Sequence, residues 1–254
     1  MTPAARPTVL LLHGQPGGAA DWAGVITRLD GRADVLAVDR PGWDGVTRAR
    51  NLAGNAEAAL AALDERGVPR AVVVGHSLGA AVAAWLAATQ PHRVIALVLA
   101  APAANLAALY PLDRWMAAPV AGDLAAAAVL GGLGLALALA PVRRRIAHAT
   151  RLQEGYLRAS GAAARRPWAW RAYAAEQRAL VRDLPELERR LAAISAPTTI
   201  IAGTHDPIVP ARATLALSRQ IAGARLEHSA VSGHLVPQRD PGLVAAAILT
   251  ALNR

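Results

Sequence analysis

No cysteine occurs among the 254 residues, which excludes a disulfide framework and a thiolate metal site and removes any redox clue to the compartment. Lysine is missing as well, so all 27 cationic side chains are arginine. Against 18 acidic residues the formal charge is +9, which on a contiguous patch would point to an anionic partner. The charge is local instead. Between positions 143 and 190 twelve arginines face five acidic residues, a net of +7, and only +2 remains for the rest of the chain. Neither aromatic interleaving nor a nucleic-acid motif accompanies that segment, so solvated helix faces are expected and no nucleic-acid partner. The first residues, Met1-Thr2-Pro3-Ala4-Ala5-Arg6-Pro7, contain no long apolar stretch and no small-residue cleavage site. An unexported, cytoplasmic protein is the expectation.

What is present alternates between two patterns. Short apolar runs at 8–12, 34–38, 71–74 and 94–99 read as strands, separated by helical patterns at 19–29, 52–66 and from 80 to Thr89. The rhythm returns with strands at 198–202 and 224–228 and helices at 210–221 and 241–252. Continuous apolar strands separated by helices predict an α/β fold with a parallel sheet of about six strands, covered on both faces. Between 102 and 194 only helical patterns occur, punctuated by Pro111, Pro119, Pro141, Pro167 and Pro185. The reading is one α/β core, residues 1–101 and 195–254, interrupted by an all-helical cap, residues 102–194. No internal repeat is evident.

Residues 124–142 carry no charge and are followed by Arg143-Arg144-Arg145, formally a transmembrane pattern. Gly131, Gly132 and Gly134 interrupt it, each costing about 1 kcal/mol relative to alanine in a helix. A span there would also put the flanking strands on opposite sides of a bilayer. An apolar cap helix is expected, with no membrane span, and peripheral membrane contact through the cap stays open.

The chemistry gathers where strands end. Val72-Val73-Val74 runs into Gly75-His76-Ser77-Leu78-Gly79 and then into the alanine-rich helix, the strand–turn–helix context that gives a G-x-S-x-G match its meaning. On so sharp a turn the serine takes strained dihedrals, and side chains at 75 or 79 would strike neighbouring backbone. The alternative is a Gly-rich turn whose serine merely caps the helix. After the first strand, His13-Gly14-Gln15-Pro16-Gly17-Gly18 lets backbone approach a ligand, with the Gln15 and Leu78 N–H groups as oxyanion-hole candidates; the plain reading is a turn. Gly203-Thr204-His205-Asp206-Pro207 offers a carboxylate that otherwise serves the turn. Val231-Ser232-Gly233-His234 offers a histidine that is otherwise a surface imidazole.

Together these segments resemble the α/β-hydrolase superfamily over nearly the whole chain, in capped, esterase- or lipase-like form. The order Ser77, Asp206, His234 is the family's nucleophile–acid–base order. The resemblance implies that His234 takes the Ser77 proton, that Asp206 orients the imidazole, and that no metal or cofactor is needed. It also implies that Asp39-Arg40-Pro41-Gly42-Trp43 is a structural turn. Only a few residues precede the His-Gly strand in this sequence, so the leading antiparallel hairpin usual in the family is expected to be absent. Of the other histidines, His13 is expected to support its own loop and His76 and His205 to pack or face solvent.

The leading expectation is a serine esterase acting on a small-molecule, apolar ester or lactone. C–C bond hydrolysis or cofactor-free perhydrolysis on the same triad, and non-catalytic ligand binding, are the alternatives. The His-Gly-Gln-Pro loop is similar to those of haloalkane dehalogenases and epoxide hydrolases, but these use a carboxylate where Ser77 stands. The pocket roof is expected from Leu130, Leu133, Leu135 and Leu137, with Trp115 as a further lining residue and the glycines of the run permitting a moving lid. Trp168, Trp170, Tyr156 and Tyr173 read first as core. Oligomeric state is not legible.

Overall fold

The structure, a computed structural model, describes residues 6–253; positions 1–5, on which the expectation of no export signal partly rests, lie outside them. The first half alternates β1 (Thr8–Leu12), α1 (Ala23–Leu29), β2 (Asp34–Val38), α2 (Leu52–Asp64), β3 (Ala71–His76), α3 (Leu78–Thr89) and β4 (Val94–Ala100). Five helices follow: α4 (Pro111–Met116), α5 (Ala121–Ala138), α6 (Ala140–Thr150), α7 (Glu154–Ala164) and α8 (Pro167–Arg190). The chain then returns with β5 (Thr198–Gly203), α9 (Ala211–Gln220), β6 (Arg225–Ser229), α10 (Val236–Arg239) and α11 (Pro241–Leu252).

The six strands form one sheet in the order β2-β1-β3-β4-β5-β6, and every pairing is parallel. Strand alternation explains the two cores. Leu10, Leu12, Val73, Leu97 and Ile200 point to one face, under α2, α3, α9 and the end of α8. Val9, Leu11, Val72, Val74 and Val98 point to the other, under α1 and α11. Each fully buried valine or leucine contributes about 1.5–3 kcal/mol of transfer free energy, which is why the unbroken apolar runs sit mid-sheet. Among the described residues no antiparallel strand flanks β2, so β2 and β6 are both open edges.

Three details differ from the sequence reading. The helix expected from residue 19 begins as a 3-10 turn, Ala19–Trp22, before α1. The uncharged run is two helices, broken at Leu139, because Pro141 starts α6 near its N-terminus, where a missing N–H costs nothing. Pro185, read as a break, lies inside α8; it removes only the bond to the Val181 carbonyl, and Leu180, Leu184 and Leu187 in the main core hold the helix together across it. The last turns of α8 thus belong to the core, while its first turns lie beside the strand ends.

Candidate active site

Ser77 follows β3 directly and is the N-cap of α3, with φ 53° and ψ −120°. Such dihedrals are strained for a residue with a Cβ. The turn closes only because its flanks are glycines: a Cβ at Gly75 would fall on the Gly79 carbonyl, and one at Gly79 on the Leu12 and His13 carbonyls of the neighbouring strand end. Leu78 is the first helical residue, so its N–H has no acceptor within the helix. The helix dipole adds its positive end at the same place.

Asp206 and His234 arrive from the loops after β5 and β6. His234 Nδ1 donates to Asp206 Oδ2 at 2.9 Å. Its Nε2 then accepts from the Ser77 hydroxyl at 3.0 Å. Asp206 Oδ1 takes the backbone N–H groups of Ile208 and Val209 at 2.8 and 2.9 Å. Burial alone would raise this carboxyl, but the imidazole bond and charge and the two backbone donors outweigh it and hold it below the ordinary range. The site is covered, with Ser77 5% and His234 9% exposed.

The loop after β1 is held by a network that the sequence reading missed. Arg40, buried, donates from Nε to the His13 carbonyl and from one terminal nitrogen to the Gly14 carbonyl, each at 2.9 Å. Its guanidinium is paired with buried Glu176 on α8, whose carboxylate also accepts from Trp43 Nε1 at 2.7 Å. The Arg40 backbone N–H donates to His13 Nε2 at 3.0 Å, so His13 carries its proton on Nδ1 and gives it to the Gly14 carbonyl at 2.7 Å. Burial and the Arg40 charge keep His13 well below the ordinary histidine range and hence neutral. It supports its own loop, as expected. Gln15 donates from its side chain to Gln177 on α8 at 2.8 Å. The signal for Arg40 was present as an arginine inside an otherwise apolar Pro-Gly-Trp turn; its partner lies 136 positions away, beyond the reach of any local pattern.

His76 is buried and donates from Nε2 to the His234 carbonyl at 2.8 Å. Burial, with the nearby His234 adding to it, lowers its pKa to about 3. Tyr156 of α7 donates to Asp21 at 3.0 Å, and packs with Leu137, Leu152 and Leu157 against Leu235, the residue after His234.

The expected roof residues divide. Leu137 lies in that cluster and Leu130 is buried. Leu133, Leu135 and Trp115 are instead 43%, 65% and 54% exposed. The buried stripe of α5 is Gly122, Ala126, Leu130, Gly134 and Leu137, and Leu133 and Leu135 fall beside it. Trp168 and Tyr173 pack on Trp43, and Trp170 binds the Ala164 carbonyl. Two surface grooves, of about 540 and 180 Å³, lie at the N-terminal strand ends near Thr8 and Asp34 and on the cap near Trp170, and neither reaches Ser77. Among the described residues no group of three or more histidine and carboxylate side chains could hold a metal ion.

Comparison with known proteins agrees with this architecture. The chain is 42% identical over 103 residues to the dihydrolipoyllysine-residue acetyltransferase component of the acetoin cleaving system of Cupriavidus necator, a match covering 37% of this chain and 26% of that protein. It is 37% identical over 106 residues to the 2-hydroxy-6-oxononadienedioate/2-hydroxy-6-oxononatrienedioate hydrolase of Paraburkholderia phymatum, covering 39% of this chain and 37% of the relative. Each match therefore spans well under half of the relative. Among solved structures, a hydrolase from Pseudomonas aeruginosa superposes with a TM-score of 0.76 at 28% identity, covering 98% of this chain and 91% of the other. The model of the alpha/beta hydrolase fold family matches residues 7–237, and the chain belongs to that family.

Proposed function

We propose that the protein is a serine hydrolase that cleaves carboxylic esters or lactones of small to medium apolar substrates through an acyl-enzyme. The observation that carries this reading is the unbroken hydrogen-bond chain from Asp206 through His234 to the hydroxyl of a serine on a strained elbow. In this reading Ser77 attacks the acyl carbon while His234 Nε2 takes its proton, and Asp206 stabilises the imidazolium. The oxyanion is met by the N–H groups of Gln15 and Leu78. The imidazolium then protonates the leaving alcohol, and a water activated by His234 releases the acid. The apolar cluster of Leu137, Leu152 and Leu157 beside Leu235 supports an apolar acyl or alcohol group.

Labelling with a fluorophosphonate, followed by hydrolysis of p-nitrophenyl esters of increasing acyl length, tests the reading. Ser77→Ala is expected to abolish both labelling and hydrolysis with the thermal midpoint unchanged. A wild-type chain that neither labels nor hydrolyses would favour ligand binding without catalysis.

A second reading rests on the Paraburkholderia relative. Its named substrate, a hydroxy-oxo-dienedioate, contains no ester, so hydrolysis there cuts a C–C bond, and the same triad would serve. A higher kcat/KM for a 2-hydroxy-6-oxo-dienoate than for any ester would select it. The outer face of the cap, with Leu124, Leu135 and Leu139 exposed ahead of exposed Arg144 and Arg145, supports peripheral contact with an anionic membrane surface. Co-sedimentation with anionic but not neutral vesicles is the expected result.

A further inference from the structure

The cap helix α8 does more than border the site: Gln177 bonds to the loop on which the Gln15 N–H stands, and Glu176 bonds to Arg40, which holds the same loop. The Gly14 carbonyl and the Gln15 N–H belong to one peptide unit, and that unit is trans, the only cis bond among the described residues being Gln15–Pro16. In a trans peptide the C=O and N–H point in opposite directions. The Gly14 carbonyl is gripped by two donors, Arg40 at 2.9 Å and His13 Nδ1 at 2.7 Å. The Gln15 N–H is therefore turned away from the guanidinium. Gly14 itself lies against the nucleophile, since a Cβ there would sit 3.0 Å from the Ser77 Cβ. Among the described residues no carbonyl or side chain accepts from the Gln15 N–H. It stays open to a ligand oxygen.

The grip depends on the cap. Arg40 reaches the loop with Nε and one terminal nitrogen while Glu176 engages both terminal nitrogens from the far side. Trp43 at 2.7 Å and Asn55 at 3.4 Å complete the shell around the pair. Next to Glu176, Gln177 accepts from the Gln15 side chain at 2.8 Å and donates to Asp113 of α4 at 3.0 Å. From successive residues of one cap helix, Glu176 thus holds the Gly14–Gln15 peptide through Arg40, and Gln177 holds the Gln15 side chain directly.

We infer that Arg40 and Glu176 are positioning residues for the oxyanion hole, fixing the orientation of the Gly14–Gln15 peptide, so that the hole is complete only when α8 is seated. This rests on the reading of Ser77 as nucleophile and Gln15 N–H as oxyanion donor. It differs from a cap that only selects substrates, because loosening α8 would slow chemistry rather than weaken binding.

The test compares wild type with Glu176→Gln and with the double variant Arg40→Met/Glu176→Gln, which leaves no buried charge unpaired. Each is assayed with p-nitrophenyl butyrate and with a trifluoromethyl ketone, whose adduct places an oxyanion in the hole. Losing one oxyanion donor costs about 10²–10³ in kcat. The double variant is expected to lose kcat by that factor with KM within about threefold, and to lose affinity for the ketone in parallel. Glu176→Gln, which keeps a hydrogen-bonding side chain, is expected to lose about tenfold. In ¹⁵N-labelled protein the Gln15 amide signal is expected to move in both. Folded variants with wild-type ketone affinity and an unmoved Gln15 signal would overturn the inference. A Gln15 signal that moves in variants of a wild type inert to both probes would overturn the hydrolase reading and leave the peptide clamp standing.

Discussion

At the scale of single residues, Asp206 stands alone in its role: after β4 the segment Ala101-Pro102-Ala103-Ala104-Asn105 offers no carboxylate, and His234 Nδ1 bonds to Asp206. Asp206→Asn keeps the size and, through its carbonyl oxygen, the backbone bonds to Ile208 and Val209. It turns an amide N–H toward His234, favouring the wrong imidazole tautomer. Turnover is expected to fall up to about 10⁴-fold, with the thermal midpoint within a few degrees of wild type. Ester assays and calorimetry on the variant measure both; near-normal turnover would mean that another group orients His234. The three residues Ser77, Asp206 and His234 were legible in the sequence because each stands in the turn or loop that follows a strand, with glycine or proline close by, a local signal. Arg40, Glu176 and Gln177 were not, because their meaning lies in contacts between segments far apart in sequence. His76 fell between: its place before Ser77 was plain, its bond to the His234 carbonyl was not.

At the scale of elements, α5 shows where pattern reading fails. A helix apolar on every side gives no periodic signal to separate an inward from an outward face, so Leu133 and Leu135 could not be told from Leu130 and Leu137. The glycines carry the missing information. A Cβ at Gly134 would lie 2.8 Å from the Gly161 carbonyl, and one at Gly161 would lie 2.6 Å from the Leu137 Cβ, so these two glycines let α5 and α7 pack closely rather than letting α5 bend. Gly134→Leu is expected to destabilise the protein by about 3 kcal/mol or more through overpacking. Leu135→Ser should stay within about 0.5 kcal/mol. Urea midpoints of the two variants make the comparison, and equal midpoints would refute the assigned faces. On the same grounds, Leu137→Ser and not Leu135→Ser is expected to alter acyl-length preference. The central strands β1, β3, β4 and β5, by contrast, were legible to within a residue or two, because a parallel strand buried on both faces is a nearly uninterrupted apolar run and needs no phase.

At the scale of the whole molecule, two buried neutral histidines make stability depend on acid. Burial, with His234 beside the one ring and the Arg40 charge beside the other, holds His76 at about 3 and His13 well below its ordinary value, whereas in the unfolded chain each titrates near about 6.5. Between those limits the unfolded state binds more protons, so stability is fully present above about pH 6.5 and is lost as pH falls toward 3. At pH 5 His76 alone accounts for a loss of about 2 kcal/mol. Asp206 acts in the same direction but only below about pH 4, where an ordinary carboxylate begins to protonate. Buried Asp21 and Glu176, whose carboxyls burial raises, act in the opposite direction, so the histidine effect is isolated by comparison: between pH 7 and pH 5 His76→Gln should lose less stability than wild type in denaturant titrations, and an equal loss would contradict the burial of the His76 ring. The long excursion between β4 and β5 bears on how the molecule reaches this state. The chain leaves the sheet at Ala100 and resumes pairing at Thr198, and closing a loop of roughly a hundred residues costs on the order of 4 kcal/mol of chain entropy. Strands β1 to β4 pair without crossing that gap, so Ser77 can take its place on the elbow early, while Asp206 and His234 arrive only after the gap is closed. During refolding, secondary structure measured by circular dichroism should therefore recover ahead of fluorophosphonate reactivity, leaving an interval in which the nucleophile is built and still inert.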